Sequence, residues 1–232
     1  MKDLPLILPI VFLLVVLVTA FALARAAHFR RPVVIGICGW LLLQSAVSIT
    51  GFYTDFRSLP PRLFFLLGPP VIFIAILLAT AKGRSFLDSL EGRVLTLLHT
   101  VRIPVEAVLW GLALYKTIPV LITFEGINFD IFSGISAPLA YYFAFSKGRG
   151  GRKGLLVWNI VCLALLVNVV GHAILSFPTP FQQLSFHQPA IAVGYFPYTL
   201  LPGFVVPVVL LAHVAMIRRL IWKAKPGWAL AS

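Results

Sequence analysis

Seven apolar runs divide the chain, at about residues 4–24, 33–53, 62–81, 93–115, 129–145, 155–177 and 198–217. Between them lie short stretches that hold the turn residues and most of the charges. A hydrocarbon core about 30 Å thick takes roughly 20 residues of helix to cross, which is the scale of these runs. Lipid offers no partner to an unpaired backbone amide, and no period-two alternation suggests a barrel, so each run is predicted to be a helix. The expected fold is an all-α membrane protein: one domain over residues 1–232, a seven-transmembrane-helix bundle.

Composition supports the same class. With 60% hydrophobic and 11% charged residues, the chain has too little polar surface for a soluble globule. The spans use nearly the whole length, leaving no soluble domain. The net charge of +12 comes in short basic blocks rather than a stripe, so nucleic acid is not an expected partner and the bilayer is. One side collects Arg25, Arg30, Arg31, Lys82, Arg84, Arg93, Lys147, Arg149, Arg152, Lys153, Arg218, Arg219, Lys223 and Lys225. The other collects Lys2, Arg57, Arg62 and Lys116. Fourteen against four puts the N-terminus outside and the C-terminus in the cytoplasm. The opening segment has some signal-peptide features, but its apolar core is too long and Asp3 offsets Lys2, so it is read as the first span. Cys38 and Cys162 both sit in apolar runs and form no CxxC motif, which fits buried thiols.

Prolines recur inside the runs: Pro5 and Pro9, Pro69 and Pro70, Pro104, Pro138, Pro202 and Pro207. Each removes a backbone hydrogen bond, and the resulting kinks can open a cavity. Leu66-Leu-Gly-Pro-Pro70 faintly echoes Leu200-Leu-Pro-Gly-Phe204. Two readings stay open there, a transporter-like repeat or a chance match in low-complexity sequence.

The fourth run holds the main anomaly, His99-Thr-Val-Arg102-Ile-Pro-Val-Glu106. A charge at bilayer depth costs roughly 2.5–3.5 kcal/mol on insertion scales, so it marks a buried partner or a working site. At about 100° per residue, Thr96, His99, Arg102, Glu106 and Trp110 share one arc of about 120°. Arg102 and Glu106, four apart, can pair. A structural ion pair and a ligand, proton or ion site both remain open.

Further polar groups gather toward the outer side. Glu125, Asn128 and Asp130 precede the fifth run, where Gly126 permits a positive-φ turn and Asn128 or Asp130 can cap the helix. Asn168, His172 and Ser176 form a stripe on the sixth. The long stretch from Phe177 to Pro197 carries Gln182, Gln183, His187 and Gln188 among aromatics, either a headgroup-level belt or a lid. The acidic and histidine groups are suitable metal ligands but lack paired spacing. His99, His172 and His213 could ligate haem, though no two stand at matching depth on obviously facing helices. A retinal Schiff base needs a lysine in the last run, and none is there. No GxSxG elbow places a nucleophile.

Four blocks, LHTVRIPVE (98–106), TFEGINFDIFSGISAP (123–138), WNIVCLALLVN (158–168) and PFQQ (180–183), resemble an uncharacterised family of small bacterial multi-pass integral membrane proteins. The family pattern has Arg where this chain has Ile127, and something other than His at 172. The resemblance implies a bacterial cytoplasmic (inner) membrane location and no assigned activity or cofactor. The expected site is an outward-opening polar cavity. Arg102 and Glu106 form its floor, Glu125, Asn128 and Asp130 its rim, and Asn168, Gln182 and Gln183 its wall. His99, Trp110, His172 and His187 stand behind them. The expected function is binding or translocation of a small polar or cationic solute. The rivals are a membrane-embedded enzyme acting on a lipid or quinone-like substrate, and an accessory subunit of a membrane complex or homo-oligomer.

Overall fold

Hydrocarbon faces outward and charge faces inward in this chain. The computed structural model describes residues 4–146 and 151–222. Lys2, Asp3, Lys147, Arg149, Lys223 and Lys225 of the charge tally lie outside the described residues. Leu14, Leu17 and Phe21, with Ile35, Leu42 and Ile72, are exposed, while Arg102, Glu106, Asp130, His99 and His213 are buried. That inversion suits a lipid solvent, where apolar side chains gain nothing by hiding and charges must find partners.

Each predicted run holds a helix, and one further short helix falls in the connection expected between the third and fourth runs. These are α1 (Ile7–Ala26), α2 (Arg31–Ile49), α3 (Phe64–Ala79), α4 (Ala81–Ser89), α5 (Gly92–Leu98), α6 (Arg102–Leu114), α7 (Asp130–Tyr141), α8 (Gly151–Ser176) and α9 (Val206–Trp222). Among the described residues, five helices are long and apolar enough to cross a membrane: α1, α2, the stretch Gly92–Leu114, α8 and the stretch Leu201–Trp222. A sixth is added if α3 and α4, bent by 100° at Thr80, count as one span. The fifth predicted run is shorter, twelve residues of α-helix and then five of π-helix at Tyr142–Ser146. The build is that of a multi-pass helical membrane protein.

Breaks follow the residues that force them. Pro32 opens α2 near its first position, where a missing N–H costs nothing. At Thr80 the chain turns extended, and the Thr80 hydroxyl accepts the Gly83 N–H to start α4. A Cβ on Gly83 would lie 2.4 Å from the Leu77 carbonyl oxygen, so the fold-back requires glycine. Between α5 and α6 the chain tightens into a 3-10 turn, His99–Val101, just before Pro104. A proline there cannot donate to the preceding turn, so the ladder changes pitch and sets the direction of His99 and Arg102. The π-helical turns at Tyr142–Ser146 and Leu201–Val205 follow Pro138 and enclose Pro202 in the same way.

The α5–α6 unit is the centre of the bundle. It packs on α1, α7 and α9, and the side opposite its polar face is buried too, through Val101, Val105, Val108 and Leu112. Two glycines permit the close approaches. A Cβ at Gly111 would meet Leu8 at 2.5 Å, and one at Gly134 would meet Ile103 at 2.8 Å. By contrast α2 is peripheral, with only Gln44 and Ser48 buried along its length.

The two ends of the bundle differ in chemistry. At one end Arg25 pairs with Glu91 at 2.5 Å, Arg218 with Asp88 at 3.2 Å, and Arg152 donates to the last carbonyls of α9, Leu220 and Ile221. Arg30, Arg31, Lys82, Arg84, Arg93, Lys153 and Arg219 belong to the same end by chain position. The opposite end carries Arg57, Arg62 and Lys116 and is made of loops tied to one another. Gln188 donates to the Ala113 and Ile118 carbonyls, and the Ala192 N–H to the Thr117 carbonyl.

Candidate functional site

Arg102 opens α6 straight after the 3-10 turn, which aims it at α7, α8 and α9. Its Nη1 donates to Asp130 Oδ1 at 2.8 Å and to the Cys162 carbonyl at 3.4 Å. Its Nη2 stands 2.8 Å from His213 Nε2. A guanidinium only donates, so this nitrogen accepts and the His213 proton sits on Nδ1. That proton is donated to Asn159 Oδ1 at 3.0 Å, and the Asn159 amide passes on to the Leu155 carbonyl at 2.9 Å. One arginine thus ties three helices with an ordered donor direction. His99 stacks on His213 at 4.0 Å between ring centroids, inclined by 19°, and meets Trp158 edge-on. Both His99 nitrogens are buried and unpartnered.

Glu106, one turn further along α6, is 2% exposed. Its Oε1 accepts from Asn128 Nδ2 at 2.5 Å. The Phe124 backbone stands against the carboxylate as well, and the buried Oε2 has no hydrogen-bond partner among the described residues. Asn128 also donates to the Ile122 carbonyl at 3.1 Å, and its Oδ1 accepts the Asp130 N–H at 2.9 Å just ahead of α7. This local turn is why Asn128 and Asp130 sit side by side beneath the loop.

Glu106 and Asp130 line a cavity of about 280 Å³ bounded by α3, α6, α8 and the Leu201–Val205 turn, with Phe177, Thr179 and Phe181 over it. Apart from those two acids and Thr179, its wall is apolar, including Leu67, Val105, Leu109 and Val170. Phe64 and Val71 of α3 and Phe181 line it while remaining exposed. The cavity therefore reaches the bundle's side, beside the outer face of α3.

The expected site residues divide accordingly. Arg102, Glu106, Asn128, Asp130 and His99 form one buried cluster. The i, i+4 pair of Arg102 and Glu106 is not made, because Asp130 and Asn128 take the two groups instead. Asn168 donates to the Ile127 carbonyl at 2.9 Å, tying α8 to the loop, and His172 bonds the Asn168 carbonyl. Gln182 closes its own turn on the Leu184 carbonyl. Glu125, Gln183 and His187 are exposed, and Trp110 turns outward against Phe124. None of these seven lines the cavity. Gly126 serves by close approach, since a Cβ there would lie 2.5 Å from the Val120 carbonyl; positive φ is not its role. Cys162 is buried and Cys38 is exposed on α2. His99 and His213 do stand at matching depth on facing helices, but stacked so closely that nothing fits between their rings. Among the described residues no group of three or more His, Cys, Asp or Glu could hold a metal ion. His213 and Asn159 are the partners that sequence reasoning left out of the site. Both are polar groups inside apolar runs, which is itself the signal.

Residues 60–221 match the family model described as domain of unknown function (DUF8737). No curated protein and no solved structure matches the chain.

Proposed function

This chain belongs to the DUF8737 family, and from its buried site we propose that it binds a membrane-dissolved amphiphile with an apolar body and a hydrogen-bond-donating head, an amine or hydroxyl. The observation that carries this reading is Glu106, a buried carboxylate whose Oε2 has no hydrogen-bond partner among the described residues, on the wall of an otherwise apolar cavity. A buried carboxylate oxygen without a donor is costly, and a donor arriving with the ligand removes that cost. A small, fully polar solute is a poorer match, because most of the wall would leave its groups unpaired. An accessory role would suit Arg102 and Glu106 satisfying each other around a filled core, and neither condition holds.

The reading includes seven spans with α7 as a short one, an outer N-terminus and a cytoplasmic basic end. Among the described residues, ten arginines and lysines gather at one end and three at the other, which supports that direction. The site then lies toward the outer leaflet, with its side opening to lipid.

A diazirine-bearing dodecylamine, applied to the full chain in lipid nanodiscs, tests the proposal. Labelling should fall on α3 and α8 peptides facing the cavity. Unlabelled dodecylamine or dodecanol should compete at least tenfold better than dodecanoate, and Glu106→Gln should erase the difference. Equal competition by dodecanoate in the unmodified protein would overturn the reading.

A further inference from the structure

A second apolar hollow lies on the other side of α3. It occupies about 700 Å³ between α2 and α3, floored by α9 and the Leu201–Val205 turn, and is lined by Gly36, Trp40, Pro70, Phe73 and Phe204. Its basic-end mouth is formed by Arg30 and by Phe86 of α4. Toward the opposite end it meets a shallower hollow that shares Trp40 and Pro69. The groove stays open because α2 rests on the bundle through few residues. Trp40 donates to the Gly203 carbonyl at 2.7 Å, and Thr199 to Ser48 at 2.8 Å. From Trp40 toward the basic end the surface of α2 is bare: a Cβ on Gly36 or Gly39 would meet nothing within 4 Å.

Charge at the mouth is one-sided. The carboxylates of this end, Asp88 and Glu91, are held by Arg218 and Arg25. Among the described residues Arg30 has only a serine hydroxyl, Ser89 Oγ at 3.1 Å, as its hydrogen-bond acceptor. Arg31 and Lys82 are exposed beside it in sequence and on α4 respectively, and no carboxylate pairs with either among the described residues. Lys82 precedes Phe86 by four residues, so both are on one face of α4. That short helix leaves α3 at 100°, which carries its cations along the headgroup level.

We infer that this groove is a binding site for an anionic phospholipid, its phosphate held by Arg30 with Lys82 and Arg31, and an acyl chain lying along Gly36, Trp40 and Pro70. An apolar trough the length of half a span ending in unpaired cations complements an acyl chain and a phosphate together. A guanidinium matches phosphate oxygens with two parallel donors, and a polybasic mouth attracts the anionic leaflet. A transmembrane helix of a second copy would fill the trough but would bring nothing for the cations at its end.

The test is native mass spectrometry of the full chain in mild detergent, titrated with phosphatidylglycerol and phosphatidylcholine of identical acyl chains. The unmodified protein should retain phosphatidylglycerol at least tenfold better. Arg30→Gln with Lys82→Gln should reduce that preference to within about twofold. Gly36→Phe, whose Cβ meets nothing within 4 Å and whose ring enters the open groove, should lower binding of both lipids while the thermal midpoint holds. Loss of preference in the unmodified protein, or its persistence in the double variant, would overturn the assignment. So would a Cys38-linked dimer that excludes phosphatidylglycerol, because it would give the groove to a second copy.

Discussion

Arg102 and Asp130 meet at 2.8 Å across the α6–α7 contact, both almost fully shielded from the surroundings of the bundle. Two opposite charges at that depth hold each other in place, and neither tolerates losing the other. Arg102→Ala or Asp130→Ala should each destabilise by about 3–5 kcal/mol, the usual cost of stranding one member of a buried pair. The double variant should cost clearly less than the sum. Thermal unfolding in one detergent, run as a double-mutant cycle, checks this, and strict additivity would mean that the pair is not coupled.

The donor direction through His213 is equally specific. Selective ¹⁵N labelling of histidine should show His213 as the Nδ1–H tautomer, with Nε2 accepting from Arg102. In Asn159→Leu the Nδ1 proton loses its acceptor at Oδ1, and its resonance should shift upfield. An Nε2–H tautomer in the unmodified protein would contradict the arrangement.

Filling the amphiphile cavity separates binding from folding. Ala173 lies on its wall, so Ala173→Phe should abolish alkylamine labelling of α3 and α8. Stability should change by less than about 1.5 kcal/mol, because the added ring enters existing space rather than packed core. Undiminished labelling in a folded Ala173→Phe protein would show that the probe sits elsewhere.

Glycines at different places should answer differently to the same change. Gly134→Ala forces a methyl against Ile103 at 2.8 Å and should cost about 1–3 kcal/mol. Gly36→Ala meets nothing and should be neutral or stabilise by up to about 1 kcal/mol, since alanine is the better helix former. The comparison needs only thermal midpoints of the two single variants.

The helices were legible because apolar runs of about 20 residues have few other uses, and the seven runs each hold one. Their ends were less so: α3 stops at Thr80 and α4 turns away, a break set by one hydroxyl and one glycine rather than by hydropathy. Within the site, Arg102, Glu106, Asn128 and Asp130 stood out as polar groups where hydrocarbon belongs. Which of them pair was not legible. The i, i+4 rule offers Glu106 to Arg102, but the 3-10 turn at His99–Val101 swings the guanidinium toward α7, and tertiary contact prevails over helical neighbourhood. Glu125, Gln183 and His187 looked similar in sequence, but they follow or precede turns that leave them outside. Sequence spacing carries depth along a helix well and carries the shape of a loop poorly.

Asn128 has a consequence beyond holding Glu106. Both its amide hydrogens and its carbonyl oxygen are engaged, by Glu106, the Ile122 carbonyl and the Asp130 N–H. A single side chain therefore belongs at once to a membrane-buried acid, a surface loop and the first turn of α7. A change in the charge or position of Glu106 is expected to register in the order of residues 120–130, where a probe on the loop end of the bundle can report what happens among the buried helices.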